Sequence, residues 1–304
     1  MHGEAVYNTL RKNKTLPDLS PEGGSTNKLM DTVIGETTRN GLNNQHQVLI
    51  HVIDDKILHA PINPSSITRV ADIGTGTGVW LKGISAYLDA TPTEDGQTRE
   101  YIGFDISASH FPPTHPSNFH YEIQDISKPF PEALRGKYDL VHVRLLVAAL
   151  PEGSMKTAVE NLTSLLRPGG WVQWDELDSE TWGGRVPSSH VKQMYEVVQK
   201  YLVQKNMERH IQTAFYEAAK LNPELQNVSV EAFNTLKRGP DFRDRLNSAC
   251  LWSYAKAAKL VMQGTGVADA EDKAEKLRAG AVSDLENDGT YWDSDLWVLL
   301  AQRK

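Results

Sequence analysis

Val70-Ala71-Asp72-Ile73-Gly74-Thr75-Gly76-Thr77-Gly78 decides the fold. Val70 to Ile73 continue a β-branched and apolar run that starts at Thr68, the composition of a buried strand. The glycines that follow let the backbone bend sharply and let a ligand meet main chain without a Cβ in the way. Val79 to Leu88 then carries helical spacing, so the unit reads strand, glycine turn, helix. A dinucleotide fingerprint needs G-x-G-x-x-G, but Val79 stands at the third position after Gly76 and Gly78 arrives one residue early. No G-K-[ST] completes a P-loop either. Asp72 points the same way, because a carboxylate beside the turn repels a pyrophosphate and favours a ligand carrying an ammonium and a sulfonium.

Downstream, Tyr101 to Asp105 is expected as a second strand ending in an acid placed to accept both hydroxyl hydrogens of a ribose. The polar excursion Thr91 to Glu100 accounts for a spacing from Gly74 longer than the ~20 residues of dinucleotide folds. Phe119 to Ile123 reads as a third strand, after which Asp125 and Ile126 offer an adenine a carboxylate and an apolar side chain. Tyr138 to Val143 is expected as a fourth strand and Met155 to Leu166 as a helix. Arg167-Pro168-Gly169-Gly170 is read as a stop and turn before a strand over Trp171 to Glu176. Strands alternating with helices predict an α/β fold, a doubly wound, mainly parallel sheet in the Rossmann-like manner.

The last third is helical over Val191 to Leu202, Ile211 to Leu221, Phe242 to Met262 and Asp269 to Glu286. A strand is expected over Val228 to Leu236, and a final one over Leu296 to Ala301 closing the sheet edge. Upstream, a buried helical stripe runs from Leu42 to Leu58, includes His46, and is stopped by Pro61 and Pro64. Thr15 to Ser25 reads as a flexible connector. The expected organisation is a helical lid segment over 1–60, a ligand-binding core over 61–180, and helical insertions with the last strands over 181–304.

Composition narrows the functions. In 304 residues, 32 Lys and Arg against 39 Asp and Glu give a net charge of −7, so attraction to nucleic acid would need a local basic patch. The single cysteine, Cys250, excludes an intrachain disulfide and a cysteine-rich zinc site. Ten scattered histidines show no H-x-x-x-H spacing, so no metal is expected. No basic start with an apolar core and no ~18-residue apolar run occurs, so the expectation is a cytoplasmic protein without a membrane partner.

The ordered segments VADIGTGTGVW, YIGFDIS, IQDISKPFP, KYDLVHVRLL and LLRPGGWVQWDE resemble the class I S-adenosylmethionine-dependent methyltransferases, over residues 61–180 plus the last strand. A finer resemblance, to fungal LaeA-like secondary-metabolite methyltransferases, rests on Gln45-His46, the GTGTG turn and His142-x-Arg144. The resemblance implies S-adenosyl-L-methionine as cofactor. It places Asp72, Gly74 and Gly76 on the methionine part, Asp105 at the ribose, and Asp125 and Ile126 at the adenine, with Thr75 and Ile106 as further cofactor contacts. Arg144 would line the methionine end or the substrate cavity.

Methyl transfer is an in-line displacement at a carbon activated by its sulfonium, so alignment is the protein's main task and a catalytic residue is optional. Were a base used, His46 and His142 are the candidates. Strand alternation puts His142 and Arg144 on one face, opposite Val143. Asp175 and Glu176 end the fifth strand, where they either orient a polar substrate or cap the following loop. Tyr7, Gln45, Trp174 and Asp175 are the candidate substrate contacts. The expected reaction is methylation of an O, N or S atom of a small organic metabolite, with no nucleic acid involved. The alternatives are a cofactor-binding regulatory or protein methyltransferase-like protein, and a repurposed cofactor-binding enzyme that transfers no methyl. The sequence leaves the oligomeric state open.

Overall fold

The computed structural model describes residues 36–147, 149–177, 183–184, 189–235, 240–287 and 292–304. The chain runs α1 (Glu36–Val52), β1 (Arg69–Ile73), α2 (Val79–Leu88), β2 (Glu100–Asp105), β3 (Phe119–Ile123), β4 (Tyr138–Arg144), α3 (Met155–Leu165) and β5 (Leu166–Leu177). It continues with β6 (Gly183–Gly184), α4 (Ser189–Gln204), α5 (Ile211–Leu221), β7 (Leu225–Asn234), α6 (Pro240–Gly264), α7 (Ala270–Asn287), β8 (Trp292–Asp293) and β9 (Asp295–Arg303). Seven strands form one sheet in the order β3-β2-β1-β4-β5-β9-β7, in which β9 runs antiparallel to both its neighbours. β6 and β8 make a separate two-stranded ladder. The expected doubly wound, mainly parallel α/β sheet is the fold observed.

Alternation along the strands sorts their side chains into two layers. Ala71, Ile73, Val141, Val143, Val172, Trp174 and Leu299 pack with α3 and α5 on one face. Val70, Leu140 and Trp171 pack with α2 on the other. Leu296 and Val298 extend that second face under α1, α4 and α6. β1 pairs with β2 on one side and β4 on the other, so the chain's winding reverses between β1 and β4. Ligands of such sheets bind in the crevice at the carboxyl ends of those strands.

Three expectations are corrected. The helix expected over Leu42–Leu58 ends at Val52, because Asp54 and Asp55 turn the backbone left-handed at φ 60° and 56°. Ile53, Ile57 and Leu58 remain buried beyond the helix, and that burial imitates helical periodicity. The Arg167–Gly170 segment lies inside β5, beside a register shift against β4 at Tyr138 and Leu140. The last strand is interior, and β7 forms the edge. The connector over Thr15–Ser25 lies outside the described residues.

Candidate functional site

The glycine turn sits at the carboxyl end of β1. Its glycines are all left-handed, with φ of 71° at Gly74, 53° at Gly76 and 70° at Gly78. Gly74 and Thr75 both donate their amides to the Phe104 carbonyl of β2, at 2.8 and 2.9 Å, which locks the turn to the neighbouring strand. α2 starts at Gly78 without a side-chain cap, leaving its first amides free of that partner. A Cβ added at Gly78 would lie 2.4 Å from the Tyr121 hydroxyl, so that glycine is closed in by protein. At Gly76 the nearest atom to such a Cβ is Leu42 Cδ1 of α1, at 3.9 Å. The space over Gly76 is therefore open for a ligand to approach main chain.

Asp105, at the end of β2, faces that space. Its Oδ2 accepts the Gly76 amide at 2.9 Å and its Oδ1 accepts the Ser107 amide at 3.3 Å. Burial pushes the Asp105 carboxyl above its ordinary pKa, and the amides of Gly76 and Ser107 pull it back. Ile106 next to it is 56% exposed, an apolar surface for a ring to cover. Asp125 is half-buried and accepts the Ser127 amide at 2.8 Å. Ile126 is turned into the core with Phe104 and Phe130, so the exposed Ile106 offers the apolar contact that Ile126 does not.

Behind the turn, strand register assembles a polar row on the α2 face. Asp72 pairs across with His142, His142 with Gln173, and Arg144 with Asp175. His142 is fully buried, with Nδ1 2.7 Å from Asp72 Oδ1 and Nε2 3.2 Å from Asp175 Oδ2. Its ring stacks flat on Trp80 of α2, with centroids 3.6 Å apart. Burial opposes the charged ring, but hydrogen bonds and charges from Asp175 and Asp72 outweigh it and raise the pKa. Thr75 donates its hydroxyl to Asp72 Oδ2 at 2.7 Å. Both Asp72 oxygens are thus engaged within the protein. Gln173 carries the row further, donating to Asp175 Oδ1 at 3.2 Å and accepting the His59 amide at 2.7 Å.

Neither histidine has the geometry of a base. Both ring nitrogens of His142 face carboxylates. His46, on α1, has Nδ1 2.8 Å from Arg144 Nη1, which takes its lone pair. Burial, and then the charges of Arg144 and His142, lower its pKa to about 3. Arg144 itself is pulled below its ordinary pKa by burial, against the charges of Asp175 and Asp72.

Of the candidate substrate contacts, Trp174 is a core residue on the opposite face, packed edge-on against Phe215 at 5.5 Å. Asp175 is spent on His142 and Gln173. Gln45 donates to the Ser253 hydroxyl of α6 at 3.4 Å and borders a cavity of about 20 Å³ between α1 and α6. Tyr7 lies outside the described residues. Among the described residues there is no cluster of potential metal ligands and no helix long and apolar enough to cross a membrane.

Sequence reading left Glu176 either to orient a polar substrate or to cap the loop after the fifth strand, and the structure instead ties it to the loop after β4 and to β5 itself. This buried carboxyl accepts the Leu146 amide at 2.9 Å and the Trp174 indole at 3.2 Å on Oε2, and the Leu177 amide on Oε1 at 3.2 Å. It thereby anchors the loop after β4, whose Leu146 side chain lies 2.9 Å from where a Cβ on Gly74 would be. Burial pushes the Glu176 pKa from 4.5 to about 8, against those hydrogen bonds. The folded chain holds the proton more tightly than the unfolded chain. That stabilisation is full below the ordinary carboxyl range and is lost as pH rises through about 8. Thermal melts from about pH 5 to about pH 9 should therefore show the wild type losing more stability with rising pH than Glu176→Gln. Parallel profiles would contradict this.

Residues 43–228 match the methyltransferase-domain family. Methyltransferase grgD of a Penicillium species is 54% identical over 270 residues, covering 89% of this chain and 95% of that protein. N-methyltransferase gliN of Aspergillus fumigatus is 36% identical over 139 residues, 44% of this chain and 45% of that protein. Among solved structures, phosphoethanolamine N-methyltransferase 2 of Haemonchus contortus with S-adenosyl-L-methionine aligns at a TM-score of 0.45 and 16% identity, covering 84% of this chain and 52% of that one. With more than half its length in the family match and a close relative along nearly all of it, the chain belongs to the methyltransferase-domain family and is a class I S-adenosylmethionine-dependent methyltransferase.

Proposed function

We propose that the protein methylates an O, N or S atom of a small organic metabolite, acting mainly by holding acceptor and cofactor in line. The observation that carries this reading is the open main chain at Gly76, joined to the Asp105 carboxyl and flanked by exposed Ile106. That arrangement fits a nucleoside with an amino-acid tail. Asp105 would hold the ribose, Ile106 and Asp125 the adenine, and the Gly74–Gly76 main chain with Arg144 the methionine end. Asp72 and Thr75 would act on that end from beneath the turn. Bound there, S-adenosylmethionine supplies an activated methyl group. The names of grgD and gliN support the reaction class.

Because His46 and His142 have their lone-pair positions occupied, the proposed chemistry draws on an acceptor that is already nucleophilic at working pH. Segment 1–60 and the helices of 181–304 are proposed as a lid over the core of 61–180. α1 supports this, since Asn43 accepts the Thr77 hydroxyl of the turn at 2.9 Å and Leu42 borders Gly76. Calorimetry with S-adenosylhomocysteine, followed by transfer of labelled methyl from S-adenosylmethionine to extracted metabolites, tests the assignment. Saturable binding and a labelled small product are expected. Binding with no labelled product would overturn the acceptor class, and absence of binding would overturn the site.

A further inference from the structure

We propose that His142 is a positioning residue for the cofactor turn: held as a doubly protonated ring between Asp72 and Asp175 and stacked on Trp80, it fixes Asp72 so that Asp72 can hold Thr75. The inference rests on the turn being the cofactor site.

A carboxylate oxygen only accepts hydrogen bonds, so a ring nitrogen facing one must carry hydrogen. His142 faces carboxylates through both nitrogens, at 2.7 and 3.2 Å, which makes the ring an imidazolium. An indole face stacked at 3.6 Å stabilises such a cation further. One buried charge thus joins β1, β4, β5 and α2, the elements that converge on the turn. Its effect passes to the turn from Asp72 Oδ2 to the Thr75 hydroxyl, at 2.7 Å. Without the ring's charge, two nearly unexposed carboxylates would share a pocket with Arg144 as the remaining cation and no donor bridging them, and Asp72 would lose the hydrogen bond that fixes it for Thr75.

The charged and titratable groups around the ring are Asp72 on β1, Asp175 on β5, Arg144 on β4 and His46 on α1. Beyond them, His59, before β1, faces Asp175, and Tyr121 on β3 faces Asp72. The two carboxylates in direct contact hold the proton on the ring, and the other cation, Arg144, is itself offset by the same two acids. The ring is expected to remain doubly protonated at about pH 7.5, above the ordinary histidine pKa of ~6.5, where an unperturbed histidine is mostly neutral.

Nitrogen-detected NMR of the full chain with labelled histidine tests the charge, and a neutral His142 ring at that pH overturns the proposal. Calorimetry with S-adenosylhomocysteine tests the positioning. Thr75→Val should weaken binding roughly tenfold. His142→Gln should weaken it at least as much, and in that background Thr75→Val should cost less than about twofold, because the route it cuts is already broken. Additive losses, or a Thr75→Val variant of unchanged affinity, overturn the proposal. If His142→Gln does not fold, the NMR result and Thr75→Val decide alone. A wild type that binds no S-adenosylhomocysteine sinks the cofactor site instead, and leaves the charge of His142 to the NMR measurement.

Discussion

Replacing Asp72 by alanine is expected to lower the unfolding free energy by about 3 to 5 kcal/mol, the cost of removing one partner from a buried ion pair. Asp72 is 2% exposed and His142 0%, so bulk solvent does not replace the lost carboxylate beside the ring. The ring would keep only Asp175, at the longer of its two hydrogen bonds, and the Thr75 hydroxyl would lose its acceptor. Urea denaturation followed by circular dichroism measures the loss. Asp72→Asn should lie between wild type and alanine, since it keeps the shape and an acceptor oxygen but not the charge. A loss below about 1 kcal/mol for alanine, the scale of a surface pair, would mean that the pair is not buried as described.

Asp105→Ala is expected to weaken S-adenosylhomocysteine binding roughly 10- to 100-fold, matching the ~1.5–3 kcal/mol of a hydrogen bond to a charged group. Two losses combine there. The ribose loses its acceptor, and the Gly76 amide, now held at 2.9 Å by Oδ2, is released in a left-handed turn. The half-buried position keeps the effect on folding small by comparison. Asp105→Asn separates the contributions, because its amide oxygen can still accept from Gly76 while only one atom remains to accept from a ribose. An unchanged dissociation constant for the alanine variant would remove Asp105 from the site.

The turn and its helix were legible because strand, glycine turn and helix are contiguous, and each reports itself through local spacing. Val79–Leu88, Phe119–Ile123 and Ile211–Leu221 fall where periodicity puts them. The end of α1 was not legible, since Ile57 and Leu58 are buried for a reason other than helix. For the last strand a signal was present. Residues Asp295–Arg303 are apolar on both faces, as an interior strand requires, whereas Leu225–Asn234 mixes polar with apolar residues and is mostly exposed or half-buried, as an edge tolerates. Glu176 gave no such signal, because its role depends on a loop thirty residues earlier in the chain.

The sequence by itself determined that this chain forms a doubly wound sheet with an open glycine turn and acids at successive strand ends, because those features follow from short-range periodicity and backbone freedom. Only the tertiary structure decided what each acid does. His142 is 70 residues from Asp72 and 33 from Asp175, and register alone brings the three into one buried row. Burial and neighbouring charges then fix their chemistry. Asp72 and Asp175 hold the proposed charge on His142 against burial, while burial holds His46 neutral and raises Glu176, and Asp105 is left as the acid that faces the open turn.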